Sequence, residues 1–363
     1  MEIYPALRSL LFKLDPETAH DLTLKAISLV GWVPPVQFLF EKYFSAPAKP
    51  VEVFGLKFKN PVGLAAGYDK DGTAIFGLSS LGFGYIEIGT VTPRPQPGNL
   101  VPRVFRLVED ESVINRMGFP SRGTEFVQSR LNPALVGGLW EWISGIPLMK
   151  NRRNNPRSRT FILGVNLGKN KETPNEEAVF DYLSLLQNYA SLADYLTINV
   201  SSPNTVGLRS LQGRDALHGL LTQLHAQRLA EQVKLQKNLP LLVKLAPDLT
   251  QKELEEAVGT IIDTGMDGVI VTNTTLSREG LISRNRDESG GLSGKALRTL
   301  SDDILARVVK LTAGRIPVVG VGGIMTPDDA QRKMDLGASL VQIYTGLIYS
   351  GPGLVKHIIK NLN

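Results

Sequence analysis

The chain has 363 residues and a formal net charge of +5. Hydrophobic residues make up 42% and charged residues 21%, which is ordinary for a folded globular protein and excludes an intrinsically disordered chain. It contains no cysteine and its four histidines lack metal-ligand spacing, so we expect no disulfide, iron–sulfur cluster, cysteine nucleophile or metal site. Aromatic and basic residues are not interleaved, so we expect no nucleic-acid partner. The sequence has no 18-residue apolar run and no signal-peptide pattern, so we expect no membrane span and a location on the cytoplasmic side.

The first 48 residues predict a small helical extension. Asp15 followed by Pro16 is typical of a helix N-cap and first turn, so we expect one helix over 6–13 and a second over 17–30. A proline pair then breaks the pattern, and an aromatic-rich segment follows. The surplus apolar surface fits either packing on the rest of the protein or contact with a membrane surface, and the residues alone leave both open.

Residues 51–61 alternate like a short hairpin that covers one end of a barrel. Beyond them, eight short apolar runs alternate with helical stretches, which is typical of repeated βα units. The runs begin at Asn60, Tyr85, Phe161, Tyr195, Leu239, Asp267, Ile316 and Leu340. The sequence therefore predicts an α/β fold, a (β/α)₈ TIM barrel over 49–363 with a small N-terminal helical extension over 1–48.

An insertion near 133–160 interrupts this barrel pattern. It contains Trp140 and Trp142, and no acidic residue occurs from Trp142 to Lys171. Aromatic residues beside basic ones suit contact with an anionic lipid surface. An insertion that is simply exposed to solvent could have the same composition. Both interpretations stay open, and the insertion has no assigned role.

Each predicted strand ends in polar or glycine residues, and in such a barrel these ends meet at the catalytic face. The glycines at 320–323 and 346 follow the last two strands, where barrels commonly bind phosphate. Lys244 on the fifth strand suits a Schiff-base nucleophile, an electrostatic partner for a reduced cofactor, or a structural salt bridge. Neutral amides that suit a planar ring are provided by Asn115, Asn166, Asn199, Asn204 and Asn273.

Eleven segments, in order and spread over nearly the whole chain, resemble the class 2, quinone-dependent dihydroorotate dehydrogenases. They are DPETAH from Asp15, NPVGLAAGYDKDG from Asn60, GTVTPRPQPGN from Gly89, PRVFRL from Pro102, INRMGFPS from Ile114, GVNLGKNK from Gly164, INVSSPNT from Ile198, LVKLAPDL from Leu242, VTNTT from Val271, GGLSG from Gly290 and GVGGI from Gly320. Class 1 relatives place a cysteine where Ser202 stands, so the absence of cysteine and the N-terminal extension favour class 2.

This resemblance implies that Ser202 is the base that removes a proton from C5 of dihydroorotate, that Thr205 relays this proton, and that hydride passes from C6 to flavin mononucleotide (FMN). Implied substrate contacts are Lys70, Asn115, Arg116, Met117, Gly118, Phe119, Asn199, Asn204, Asn273 and Thr274. Implied FMN contacts are Ala66, Gly67, Tyr68, Asp69, Lys70, Thr90, Asn166, Asn199, Lys244, Thr272, Gly294, Gly323, Tyr344 and Thr345. His20 and Arg106 match residues that line a quinone tunnel.

The resemblance further implies oxidation of (S)-dihydroorotate to orotate in pyrimidine biosynthesis, with a membrane quinone as the final acceptor. We expect a monomer held peripherally on the cytoplasmic side of the cell membrane by its N-terminal helices. Two alternatives remain: a lysine-dependent aldolase or sugar-phosphate isomerase that uses Lys244, and a non-enzymatic membrane-binding module.

Overall fold

The computed structural model describes residues 4–131 and 161–363, so the insertion predicted near 133–160 lies outside the described residues. Three helices form the N-terminal extension: α1 (Tyr4–Leu11), α2 (Pro16–Trp32) and α3 (Pro34–Phe44). The Asp15 carboxylate accepts hydrogen bonds from two amides of the first turn of α2, as its position before a proline predicts. No single described helix is long and apolar enough to cross a membrane; α2 and α3 pass that test only as a pair bent by 107°.

Eight parallel strands close into a barrel, which confirms the predicted fold and all eight predicted strands. They are β3 (Val62–Leu64), β4 (Tyr85–Val91), β7 (Ile162–Leu167), β8 (Tyr195–Asn199), β9 (Leu241–Leu245), β10 (Gly268–Val271), β12 (Val318–Val321) and β13 (Leu340–Ile343). The described helices outside the extension are α4 (Ile75–Ser79), α5 (Gly123–Leu131), α6 (Ala178–Tyr189), α7 (Arg214–Leu235), α8 (Gln251–Asp263), α9 (Arg298–Thr312), α10 (Pro327–Asp335), α11 (Thr345–Ser350) and α12 (Leu354–Asn361).

A three-stranded antiparallel sheet beside the mouth formed by the C-terminal ends of the barrel strands is the main element that the sequence analysis does not predict. It consists of β5 (Val104–Leu107), β6 (Ser112–Asn115) and β11 (Gly291–Gly294), with β6 in the centre. We call it the cap sheet. Helix α2 packs against β5, so the cap sheet connects the extension to the barrel mouth.

The opposite end of the barrel is closed by the predicted hairpin, β1 (Val51–Val53) and β2 (Leu56–Phe58). Phe58 is 1% exposed, and its ring meets that of Tyr85 edge to face at 5.3 Å inside the barrel. The ring of Phe54, in the hairpin turn, lies against Gly268 at the start of β10. The hairpin therefore contributes the lowest apolar layer of the barrel interior.

We expect Phe58→Ala to lower the free energy of unfolding by about 3–5 kcal/mol, because it leaves a cavity in this layer. Urea titration of the purified protein measures the change. Phe38→Ala is the control, since Phe38 is 64% exposed and should alter stability little. Equal effects of the two substitutions would contradict the assignment of the hairpin to the barrel core.

Candidate active site

The polar ends of the barrel strands surround a cavity of about 1020 Å³, which we call the inner cavity. It brings together residues from seven of the eight barrel strands or the loops after them, all except β7, and from the cap sheet. The predicted site residues that line it are Ala66, Gly67, Lys70, Thr90, Asn115, Met117, Gly118, Phe119, Asn199, Ser202, Asn204, Lys244, Thr272, Asn273, Thr274, Gly294, Gly323, Tyr344 and Thr345.

Five predicted residues do not line the inner cavity: Tyr68, Asp69, Arg116, Asn166 and Thr205. Tyr68 faces a second cavity, and Asn166 lies fully buried below the first. The Asp69 carboxylate is buried and accepts hydrogen bonds from two backbone amides just before α4, at 2.9 and 2.7 Å. Thr205 is also buried, and its hydroxyl has no hydrogen-bond partner among the described residues.

The Arg116 side chain does not line the inner cavity and forms its contacts outside it. Its guanidinium pairs with Glu288 at 2.6 Å, donates to the Pro102 carbonyl at 3.0 Å and lies 4.5 Å from the centre of the Phe105 ring. Because this charge is already paired outside the cavity, the Arg116 guanidinium is not available to a ligand inside it.

A hydrogen-bonded cluster fixes the amides at the cavity floor. Asn199 donates from Nδ2 to the Thr90 hydroxyl at 2.9 Å and to Asn166 Oδ1 at 3.0 Å. Asn166 in turn donates from its own Nδ2 to Glu87 Oε1 at 2.8 Å. Since every amide in this cluster has a defined donor and acceptor direction, the floor is preorganised before any ligand binds.

Glu87 is a functional residue that the predicted site omits. It is fully buried inside the barrel, and its Oε2 accepts hydrogen bonds from Tyr195 at 2.9 Å, Thr197 at 3.1 Å and Gln342 at 2.9 Å. The sequence does carry a signal, because Glu87 is the lone acidic residue in the otherwise apolar segment YIEIGTV. A buried carboxylate requires such partners, since an unpaired one is very costly.

Two lysines bring positive charge to the inner cavity. Burial lowers the pKa of Lys244, and the nearby Glu87 carboxylate opposes that shift. Burial also lowers the pKa of Lys70, where Glu17 is the main opposing charge. The two ammonium groups have no hydrogen-bond partner among the described residues. The Thr272 hydroxyl and the side-chain oxygen of Gln342, which also line the cavity, have none either. The cavity therefore presents unsatisfied donors and acceptors that suit an anionic, ring-shaped ligand.

The glycine segment after β12 packs its backbone directly against the start of α9. Gly323 has φ +76°, and a Cβ there would lie 2.3 Å from the Cα of Arg298. No other residue fits this position without displacing α9. Its backbone, together with the start of α11 at Thr345, provides the kind of amide cradle that binds phosphate in barrels.

Ser202 is 5% exposed and lies in the loop after β8, over the inner cavity. Its hydroxyl oxygen accepts a hydrogen bond from the Asn204 amide at 3.2 Å. The Asn204 side chain donates to Asn115 Oδ1 on β6 at 3.2 Å, which joins this loop to the cap sheet. Arg209 donates to the Ser201 carbonyl at 3.1 Å from the other side. The hydroxyl is therefore oriented by its own loop and shielded from bulk water.

A second cavity of about 840 Å³, the outer cavity, lies between the extension and the barrel. His20 and Arg106, the two residues predicted to line a tunnel, both line it, together with apolar residues of α1 and α2. Lys70 and Tyr344 line both cavities, as do Asn115, Met117 and Ser293. The two cavities are thus neighbours that share one wall.

The family model for dihydroorotate dehydrogenase matches residues 49–363. The chain belongs to the dihydroorotate dehydrogenase family. A protein of Idiomarina loihiensis named dihydroorotate dehydrogenase (quinone) is 46% identical over 360 residues, which cover 99% of this chain and 100% of that protein. A protein of Pectobacterium atrosepticum with the same name is 45% identical over 360 residues and 99% of each chain.

Solved structures of the family agree with the fold. Ligand-free DHODH from Eimeria tenella has a TM-score of 0.81 and 40% identity, covering 95% of this chain and 93% of that one. DHODH from the same organism in complex with ferulenol has a TM-score of 0.77 and 38% identity, covering 95% and 90%. These identities extend the likeness from the barrel to the N-terminal extension.

His20, which lines the outer cavity, makes the stability of the folded protein depend on pH. Burial, and then the charge of Lys70, lower the pKa of His20 to about 4, and its ring packs edge to face on Tyr68 at 5.1 Å. An unfolded histidine titrates near 6.5, so between about pH 6.5 and 4 the unfolded chain binds the extra proton. Stability is therefore lost as the pH falls through this window.

We expect wild-type protein to lose about 2–3 kcal/mol more stability than His20→Gln between pH 7 and pH 4. Urea titrations at several pH values measure the difference between the two proteins, which removes the contribution of the carboxylates. His218→Gln, an exposed position on α7, is the control. Parallel pH profiles for wild type and His20→Gln would rule out a buried neutral histidine.

Proposed function

We propose that this protein is a class 2 dihydroorotate dehydrogenase that oxidises (S)-dihydroorotate to orotate with FMN and passes the electrons to a membrane quinone. The supporting observation is the pair of adjacent cavities, one polar and lysine-lined and the other largely apolar, separated by a single shared wall. A water-soluble substrate and a lipid-soluble acceptor need two such sites beside one redox cofactor. The names of the relatives support the same reaction.

FMN fits the donor set of the inner cavity. Lys244, Thr272 and Gln342 offer unsatisfied polar atoms to the edge of a flavin ring, and the amides near Gly323 and Thr345 suit its phosphate. When bound, FMN accepts the hydride from C6 of dihydroorotate and later delivers the electrons to the quinone. The Lys244 ammonium, which lines the same cavity, would stabilise negative charge on the bound ring.

Ser202 is the proposed base for the proton at C5. The amide hydrogen bond from Asn204 stabilises negative charge on the serine oxygen, and burial excludes competing water. Thr205, in the same loop, carries a buried hydroxyl without a partner among the described residues and suits the next acceptor of the proton. Lys70 gives the substrate carboxylate a cationic partner.

The extension is the proposed membrane contact. Large apolar side chains are exposed along its helices at Leu7, Leu10, Leu22, Leu29, Phe38, Leu39 and Tyr43. Such a surface suits peripheral binding to the cytoplasmic side of the cell membrane, from which a quinone reaches the outer cavity. A monomer suffices for this arrangement, since every proposed site residue comes from one chain.

Anaerobic absorbance spectra of the purified protein test this proposal. A flavin spectrum that bleaches on addition of dihydroorotate supports it, and recovery on addition of a short-chain quinone supports the second half-reaction. The alternative lysine-dependent aldolase or isomerase would be colourless, and borohydride would trap a substrate adduct on Lys244.

We expect Ser202→Ala to keep FMN and bind orotate but to reduce flavin about 10²–10⁴-fold more slowly with dihydroorotate, since it lacks the base. Anaerobic stopped-flow absorbance measures the rate. Ser210→Ala, an exposed hydroxyl at the end of the same loop, is the control. Flavin reduction at the wild-type rate would show that another group removes the proton.

Thr23→Phe should fill part of the outer cavity and raise the KM for quinone about tenfold, because overpacking costs at least ~1 kcal/mol. Flavin reduction by dihydroorotate should not change. Steady-state assays with varied quinone and stopped-flow assays without it separate the two effects. Leu22→Phe, exposed on the same helix, is the matched control, and an unchanged quinone KM in Thr23→Phe would place the quinone elsewhere.

A further inference from the structure

We infer that Glu17, Arg103 and Asn99 form a chain of contacts through which the N-terminal extension positions the loop that carries Ser202. We call this chain the Glu17–Arg103–Asn99 tie. The inference rests on the proposed function, because it assigns positioning residues to the proposed base. None of the three residues belongs to the inner cavity.

The first link joins the extension to the segment before the cap sheet. Glu17 lies in the first turn of α2, and its carboxylate receives the Arg103 guanidinium through Nη2 at 2.6 Å and through Nε at 3.1 Å to each oxygen. The two side chains are only 24% and 12% exposed. A bidentate pair of this kind, partly shielded from water, fixes direction as well as distance.

The second link fixes the segment around Asn99. The remaining nitrogen of Arg103, Nη1, donates to the carbonyls of Pro97 at 2.6 Å and Asn99 at 2.9 Å. The Asn99 amide donates to the Met117 carbonyl at 2.9 Å. One guanidinium therefore ties the start of α2 to the backbone on both sides of Gly98.

The third link reaches the loop over the inner cavity. Asn99 donates from Nδ2 to the carbonyls of Asn204 at 3.1 Å and Arg116 at 3.0 Å. The amide of that same Asn204 donates to the Ser202 hydroxyl. Lys171 donates to Asn99 Oδ1 at 3.0 Å, which leaves Nδ2 facing the loop. Asn204 is thereby fixed at its carbonyl by the tie and at its amide by Ser202.

The tie gives a physical role to Glu17, Asn99 and Arg103, which the proposed chemistry does not use; they lie in the segments DPETAH, GTVTPRPQPGN and PRVFRL respectively. Glu17 also lines the outer cavity, so the position of α2 and the order of the Ser202 loop are linked. Loosening α2 should therefore release the loop.

Hydrogen exchange in the FMN-loaded, full-length protein tests the tie. We expect Glu17→Gln and Asn99→Ala each to speed exchange of the hydrogen-bonded loop amides of Asn204 and Leu208 about five- to tenfold, the loss of one or two hydrogen bonds. The double variant should exchange no faster than the faster single variant, because both changes break one chain of contacts. Exchange in β9 is measured in the same samples and should not change.

Arg228→Gln is the matched control, since Arg228 forms a similarly shielded pair with Asp267 at the opposite end of the barrel. Two results would overturn the tie: loop exchange in the Glu17 and Asn99 variants equal to that of the control, or additive effects in the double variant. Asn99→Ala also separates the tie from the charge effect of Glu17 on Lys70. Hydrogen exchange in the loop is measured without catalytic turnover. It therefore tests the tie even if dihydroorotate fails to bleach the flavin.

Discussion

The buried Glu87 carboxylate is the constraint on which the order of the site depends. A full negative charge inside a closed barrel must be surrounded by donors, and it obtains them from Asn166, Tyr195, Thr197 and Gln342. These donors come from three other barrel strands, so the carboxylate fixes strand register as well as side-chain direction. Because Glu87 uses the Nδ2 of Asn166 and the Nε2 of Gln342, the Asn166 oxygen is left to accept from Asn199 and Thr90, and the Gln342 oxygen is left without a partner among the described residues at the cavity.

Glu87 also explains how a lysine can be buried on β9. An isolated ammonium in the barrel interior would lose its proton more readily, and the pKa of Lys244 is indeed lowered by burial. The carboxylate below offsets part of that cost, which favours the charged form. The Lys244 ammonium can thus offer positive charge to a ligand in the inner cavity, while the Glu87 carboxylate balances that charge inside the barrel.

The sequence predicts the features that depend on local patterns. Strand periodicity located all eight barrel strands, and the Asp15-Pro16 pair located the start of α2, because both signals lie within a few residues. The cap sheet was missed, since it pairs Ser112 with Gly294 across 182 residues of chain, and only the folded barrel brings them together. For the same reason the sequence gives no sign of the pair between Arg116 and Glu288, which lie 172 residues apart.

A boundary after residue 48 separates the extension from the barrel in sequence, but the packing joins them. A Cβ on Gly77 of α4 would lie 1.8 Å from the Ile27 carbonyl of α2, so these helices meet at backbone distance. Such an approach leaves little freedom to move α2 without disturbing α4 and the loop that carries Lys70. Lys70 lines both cavities, and Glu17 acts on its charge from α2. A change at α2 therefore reaches the loop that carries Lys70 through packing and charge together, so the extension and the inner cavity are physically coupled.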